Sequence, residues 1–183
     1  MSETSRIPSA SLAFAQRIDR LNAAIGRAAA WACLFVVVVQ FAVVVLRYVF
    51  GHGSIWLSES IIYGHAAMFM LAAAWTLAAG GHVRVDVFYA DASPRTKALV
   101  DLCGSVLLLL PFMAVLGWFA WPYVARSWAI LEASRETSGI PAVFLLKTLI
   151  PAFALLMALQ GVSQAIKAAN VLRGQSGPYK GEP

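Results

Sequence analysis

Catalysis needs a nucleophile, a base within hydrogen-bond reach of it and a group that orients the base. The reactive residues of this 183-residue chain do not form that pattern. Its three histidines are His52, His65 and His82. Only His65 lies well inside an apolar run. A cytochrome-like site needs two imidazoles at similar depth on facing helices, so one chain cannot build it from these, although a haem shared with a second subunit stays open on this argument. His65 is read instead as a polar contact between helices. Cys33 and Cys103 each sit in an apolar run, with no CxxC or His/Cys spacing. They are read as buried structural thiols rather than as zinc ligands or a dithiol. The remaining polar residues of the apolar runs, Gln40, Thr76, Ser105, Thr148, Gln160 and Ser163, are uncharged and scattered. No phosphate-binding glycine loop occurs. Neither an enzyme nor a cofactor is expected.

The chain that carries these residues is apolar throughout. Hydrophobic residues make up 60% of it and charged residues 13%, where a soluble domain carries about 25% charged residues. A core of this size cannot bury that imbalance, so lipid must solvate much of the surface. The net charge of +5 is carried at the ends of apolar runs. Nucleic-acid binders gather it on one face, and no nucleic-acid partner is expected.

Uncharged stretches predict four membrane-spanning helices over residues 28–49, 58–82, 98–125 and 140–166, a bundle covering 28–168. Each can cross about 30 Å of hydrocarbon, which takes about 20 residues, and backbone groups in lipid are satisfied within a helix. The fold class is therefore all-α integral membrane. The first span leads into Arg47 without a small-x-small cleavage pattern, so it is expected to remain in the mature protein. Within residues 1–27, Phe14, Ile18, Leu21 and Ile25 recur at helical spacing opposite Gln16, Arg17, Asp19, Arg20 and Asn22. This predicts an N-terminal amphipathic helix lying in the membrane interface, although an extension of span one into water fits the same pattern. Residues 169–183, Gly/Pro-rich from Gly174 onward, are expected to be a disordered tail.

Of the 14 lysines and arginines, ten fall on the side of the termini and four, Arg47, Arg126, Arg135 and Lys147, on the other. The positive-inside rule then puts both termini in the cytoplasm. Ser93-Pro94 reads as a cap followed by proline at the first helical position, and Pro111, Pro122 and Pro151 should bend spans three and four. Ala154, Ala158, Gly161 and Ala165, and likewise Ala67, Ala74, Ala78 and Gly81, form small-residue stripes suited to close helix packing. Transporters hold ions with ionisable groups or broken helices near the midplane. The span middles have no carboxylate, and Lys147, the one charge inside a span, is near an end and can snorkel.

Polar clusters at the ends of span two carry a resemblance. Arg47-Tyr48-Val49-Phe50, then Trp56 with Glu59, then Gly81-His82-Val83-Arg84-Val85-Asp86, is similar to the small permease subunit of tripartite ATP-independent periplasmic (TRAP) transporters, the DctQ type. Ser127-Trp128, Glu132, Ser134, Gly139-Ile140-Pro141, Lys147, Ile150-Pro151 and Leu159-Gln160-Gly161 resemble one branch of that family. The family often has two adjacent acidic residues after the Trp, whereas here Ser58 precedes a single Glu59. The resemblance implies a bacterial inner-membrane protein that binds a large membrane subunit, which carries substrate and sodium. A periplasmic solute-binding protein would deliver an organic acid for symport. The small subunit would enlarge the stationary scaffold and help seat the binding protein. On this reading Arg47 and Glu59 are expected to pair across the short connection, Trp56 to sit in the aromatic belt, and His82, Arg84 and Asp86 to fix the turn or meet lipid head groups. The alternatives are a membrane-anchor subunit of a respiratory complex and an autonomous small transporter.

Overall fold

A computed structural model describes residues 10–82 and 92–174. All regular structure among them is helical. Helix α1 covers Ala10–Tyr48, α2 Ile55–Ala78, α3 Pro94–Cys103, α4 Leu110–Ala129 and α5 Val143–Leu172. A π-helical segment, Gly104–Leu109, joins α3 to α4, so the two form one span. The result is four helices long and apolar enough to cross a membrane.

The separate interfacial helix expected near the N-terminus is not present. Residues 12–27 are the opening turns of α1, a continuous rod of 39 residues, about 58 Å long at 1.5 Å per residue. The buried face shares Ile18 and, in part, Ile25 with the apolar stripe but is otherwise a different one. Ala15, Ile18, Asn22, Gly26 and Ala29 are buried, while Phe14 and Leu21 are about half exposed at 51% and 48%. The rod is turned so that its small and polar residues meet α5, which requires an extension and excludes a helix lying flat.

Helix ends follow local chemistry. Gly51, at φ +66°, lets the chain leave α1, and the His52 amide donates back to the Leu46 carbonyl at 2.9 Å. A left-handed residue here favours glycine. Ser54 caps α2 by accepting from the Leu57 amide at 3.3 Å. Ser93 caps α3 by accepting from the Thr96 amide at 3.2 Å, with Pro94 opening the helix, as the Ser-Pro step predicts. Pro111 lacks an N–H and its ring crowds the carbonyl four residues earlier. The wider π turns just before it relieve that crowding. Pro122 lies inside α4 and Pro151 inside α5. The last helix continues through Leu172, past the 166 expected and into the tail expected over 169–183, of which residues 175–183 lie outside the described residues.

Helix α5 is the hub. It packs against α1, α2 and span three, whereas span three meets no other helix among the described residues. Ala74, Met113, Ala154, Leu156 and Met157 form the core at this junction. Small residues set the close approaches: Gly161 faces Leu109 of the π segment, and Gly64 faces Phe35 and Val36 of α1. The predicted stripes contribute in part, Ala74, Ala154 and Gly161 being buried. Elsewhere the surface is apolar, with Trp118, Phe119 and Phe41 each at least 70% exposed, as lipid-facing side chains would be. Cys33 and Cys103, expected in the interior, are exposed on that surface. His65 also faces outward rather than bridging helices.

Candidate functional site: polar clamps at the two ends of the bundle

The polar residues gather at the two ends of the helices. At the end opposite the termini, the connection between α4 and α5 folds back over α2. Glu59, in the second turn of α2, is the anchor. Its Oε2 accepts from the Ile140 amide at 2.6 Å, and its Oε1 accepts from the Ser134 hydroxyl. The Ser134 hydroxyl oxygen also accepts from the Glu136 amide at 3.1 Å, so one carboxylate organises the whole turn. Gly139 is required there, because a Cβ would collide with Ser134 and with Glu59. The expected pair between Arg47 and Glu59 is therefore not formed: both carboxylate oxygens are taken by the other loop.

A second carboxylate ties the same connection to α5. Glu132 Oε2 accepts from the Ser127 hydroxyl at 2.7 Å and from Lys147 Nζ at 2.5 Å. The ammonium also lies 4.1 Å from the centroid of the Tyr123 ring, an attraction between cation and ring face. Lys147 is thus held in place and does not snorkel freely. Beside it, Trp128 Nε1 donates to the Thr148 hydroxyl at 2.8 Å and its ring meets Phe144 edge-on at 4.7 Å. Lys147 and Ser127 hold the Glu132 carboxyl below the usual carboxylate range.

Two outcomes follow from this geometry. Glu59→Ala strands the Ser134 hydroxyl and the Ile140 amide. Exchange of the Ile140 amide, followed by hydrogen–deuterium exchange, should quicken on the order of tenfold; an unchanged rate would mean the loop is held by something else. For Glu132 the folded pKa lies below the unfolded one, so acidification protonates the unfolded chain first. Its stabilising contribution is full above the ordinary value of 4.5 and is lost as pH falls through the depressed value. Melting temperature measured across that acid range should fall less steeply in Lys147→Met than in the parent.

At the end that carries the termini, α1 and α5 share a buried network. Asn22 Nδ2 donates to Gln160 Oε1 at 2.7 Å, and Gln160 Nε2 donates to Asp19 Oδ1 at 3.0 Å. Ser163 donates to the same carboxylate oxygen at 2.7 Å, and Lys167 pairs with Asp19 Oδ2 at 2.5 Å. Gln160, Ser163 and Asn22 are at most 1% exposed. Gln164 extends the tie to α2 by donating to the Leu77 carbonyl at 3.3 Å.

Several expected site residues thus fall elsewhere. Trp56 lies half exposed in the first turn of α2. His82 is exposed just beyond that helix, and Arg84 and Asp86 lie outside the described residues. Asp19, Asn22, Ser127, Ser134 and the partnership of Gln160 with Ser163 were not anticipated as a site. Helical spacing carried a signal for some of them: Asp19 and Asn22 share one face of α1, and Gln160, Ser163 and Lys167 share one face of α5. No group of three or more His, Cys, Asp or Glu side chains able to hold a metal occurs among the described residues.

The family model of the tripartite ATP-independent periplasmic transporters, DctQ component, matches residues 35–170. That stretch contains the loop clamp whole and the α5 half of the terminal network. No match was found among curated proteins or among solved structures.

Proposed function

Because the chain belongs to the DctQ family, the small membrane component of tripartite ATP-independent periplasmic transporters, we propose that it acts as the stationary scaffold of such a transporter. It is a multi-pass membrane protein of a transporter family and not of an enzyme family. On the proposed reading it binds the large membrane subunit that moves substrate. It also helps seat a periplasmic solute-binding protein during ion-driven uptake of an organic acid. The observation that carries this reading is the pairing of two rigid polar ties at the ends of the helices with span middles that hold no Asp, Glu, Lys or Arg among the described residues. An ion or substrate pathway needs polar groups at the midplane, whereas a scaffold needs helices that do not shift. The basic residues orient the termini toward the cytoplasm, which turns the Glu59 and Glu132 clamps toward the periplasm, where a binding protein would dock. Arg47, Trp56, Glu59 and Lys147 then frame that docking face, and His82 lies at the cytoplasmic end.

Reconstitution tests the proposal. Proteoliposomes holding the large subunit and this chain, supplied with the binding protein and an ion gradient, should take up substrate. Omission of this chain should abolish uptake. Full-rate uptake without it, or uptake by this chain alone, would refute the scaffold role.

A further inference from the structure

One face of α1 is used by neither clamp and meets no other helix among the described residues. Arg20, Ala24, Arg27, Trp31, Leu34 and Val38 follow one another along it at helical spacing and all are exposed. Trp31 is 73% exposed, Leu34 56% and Val38 57%. Beside Trp31 lies a shallow apolar groove lined by Ala30, Trp31, Cys33, Leu34 and Val37. The order along the stripe is basic, then aromatic, then aliphatic. From Arg27 to Val38 it rises about 16 Å, close to the ~15 Å thickness of one hydrocarbon leaflet. Neither Arg20 nor Arg27 makes an ion pair among the described residues, and the nearest carboxylate on the helix, Asp19, is turned away and held by Lys167.

We infer that this stripe is a binding site for an anionic phospholipid. Arg27 meets the phosphate, and Arg20 reaches the part of the headgroup that projects outward. Trp31 lies at the glycerol level, where indole rings favour the interface, and an acyl chain fills the groove along Leu34 and Val37. Two guanidiniums that pair with no carboxylate among the described residues select charge, since arginine presents a fork of donors that matches phosphate oxygens. The groove alone would take any acyl chain. Charge complementarity therefore distinguishes this occupant from the apolar face of a protein partner, which would leave both arginines unpaired.

Native mass spectrometry on the detergent-purified full chain tests the assignment, both free and in whatever complex it assembles. After delipidation, phosphatidylglycerol or phosphatidylcholine is added back. The parent should retain phosphatidylglycerol preferentially, by about fivefold for each arginine, and Arg20→Gln/Arg27→Gln should bring retention to the phosphatidylcholine level. Trp31→Ala should weaken both lipids together, and Arg126→Gln, at the opposite end, should change neither. Equal retention of the two lipids by the parent would overturn the inference, as would a preference that survives the double arginine substitution. Loss of the preference inside the complex would also overturn it, marking the face as a contact between subunits.

Discussion

Gln160→Leu should lower the melting temperature of the detergent-purified chain by roughly 5–10 °C, a loss of about 2–3 kcal/mol. A single interhelical hydrogen bond in a membrane protein averages only about 0.6 kcal/mol, so the lost bonds do not account for this alone. The larger part comes from the stranded groups. The Asn22 amide would keep only a long 3.4 Å contact with the Leu156 carbonyl, and Asp19 would lose one of its donors. A buried polar group left without its partner costs about 1–3 kcal/mol. The double substitution Asn22→Leu/Gln160→Leu removes both sides of the Asn22–Gln160 bond and should recover much of the loss. A double-mutant cycle on thermal unfolding measures that coupling. If the two single losses simply add, the residues do not act as a unit and the network is not what joins α1 to α5.

Gly26→Leu should be comparably damaging for a steric reason. A Cβ built at Gly26 falls 2.5 Å from Trp75 Cβ and 2.9 Å from two atoms of its ring. The nearest of these is at the root of the side chain, so no rotamer change clears it and α1 must move away from α2. Overpacking of this kind costs about 1–3 kcal/mol, and the remaining leucine atoms add to the displacement. Gly104 provides the internal control. It has open space around its Cβ position and ordinary helical geometry at φ −60°. Gly104→Ala should therefore be neutral or slightly stabilising, since glycine within a helix costs about 0.5–1 kcal/mol against alanine. Thermal unfolding of the two variants side by side separates close helix approach from a general effect of adding a methyl group. Equal behaviour would refute the tight α1–α2 contact.

Both effects sit where sequence and structure agree least. Gln160 and Ser163 looked like scattered uncharged residues, because their partners Asp19 and Asn22 lie far away in sequence, within a stretch expected to leave the bundle and lie in the membrane interface. Apolar periodicity finds a greasy face, but the buried face of α1 near its start is polar and small, matched to α5 by hydrogen bonds. Glu59 was legible as special from its place near Trp56 at the head of span two. Its partner was not, since the nearest opposite charge in the chain is Arg47, and the actual donors are a serine and a backbone amide of the other loop.

What the sequence determines by itself is the set of four apolar helices and where charge is excluded from them. Those follow from the cost of placing charges and open backbone groups in hydrocarbon, a property of each segment alone. The caps at Ser54 and Ser93 are equally local, because a side chain meets an amide three residues away. Tertiary structure decides that α5 is the hub, that α1 runs unbroken to meet it, and that Glu59 holds the distant loop. Lipid is as apolar as the side chains, so hydrophobicity cannot choose which faces meet. That choice falls to close approaches at glycine and to hydrogen bonds between residues far apart in the chain, which exist only once the helices are assembled.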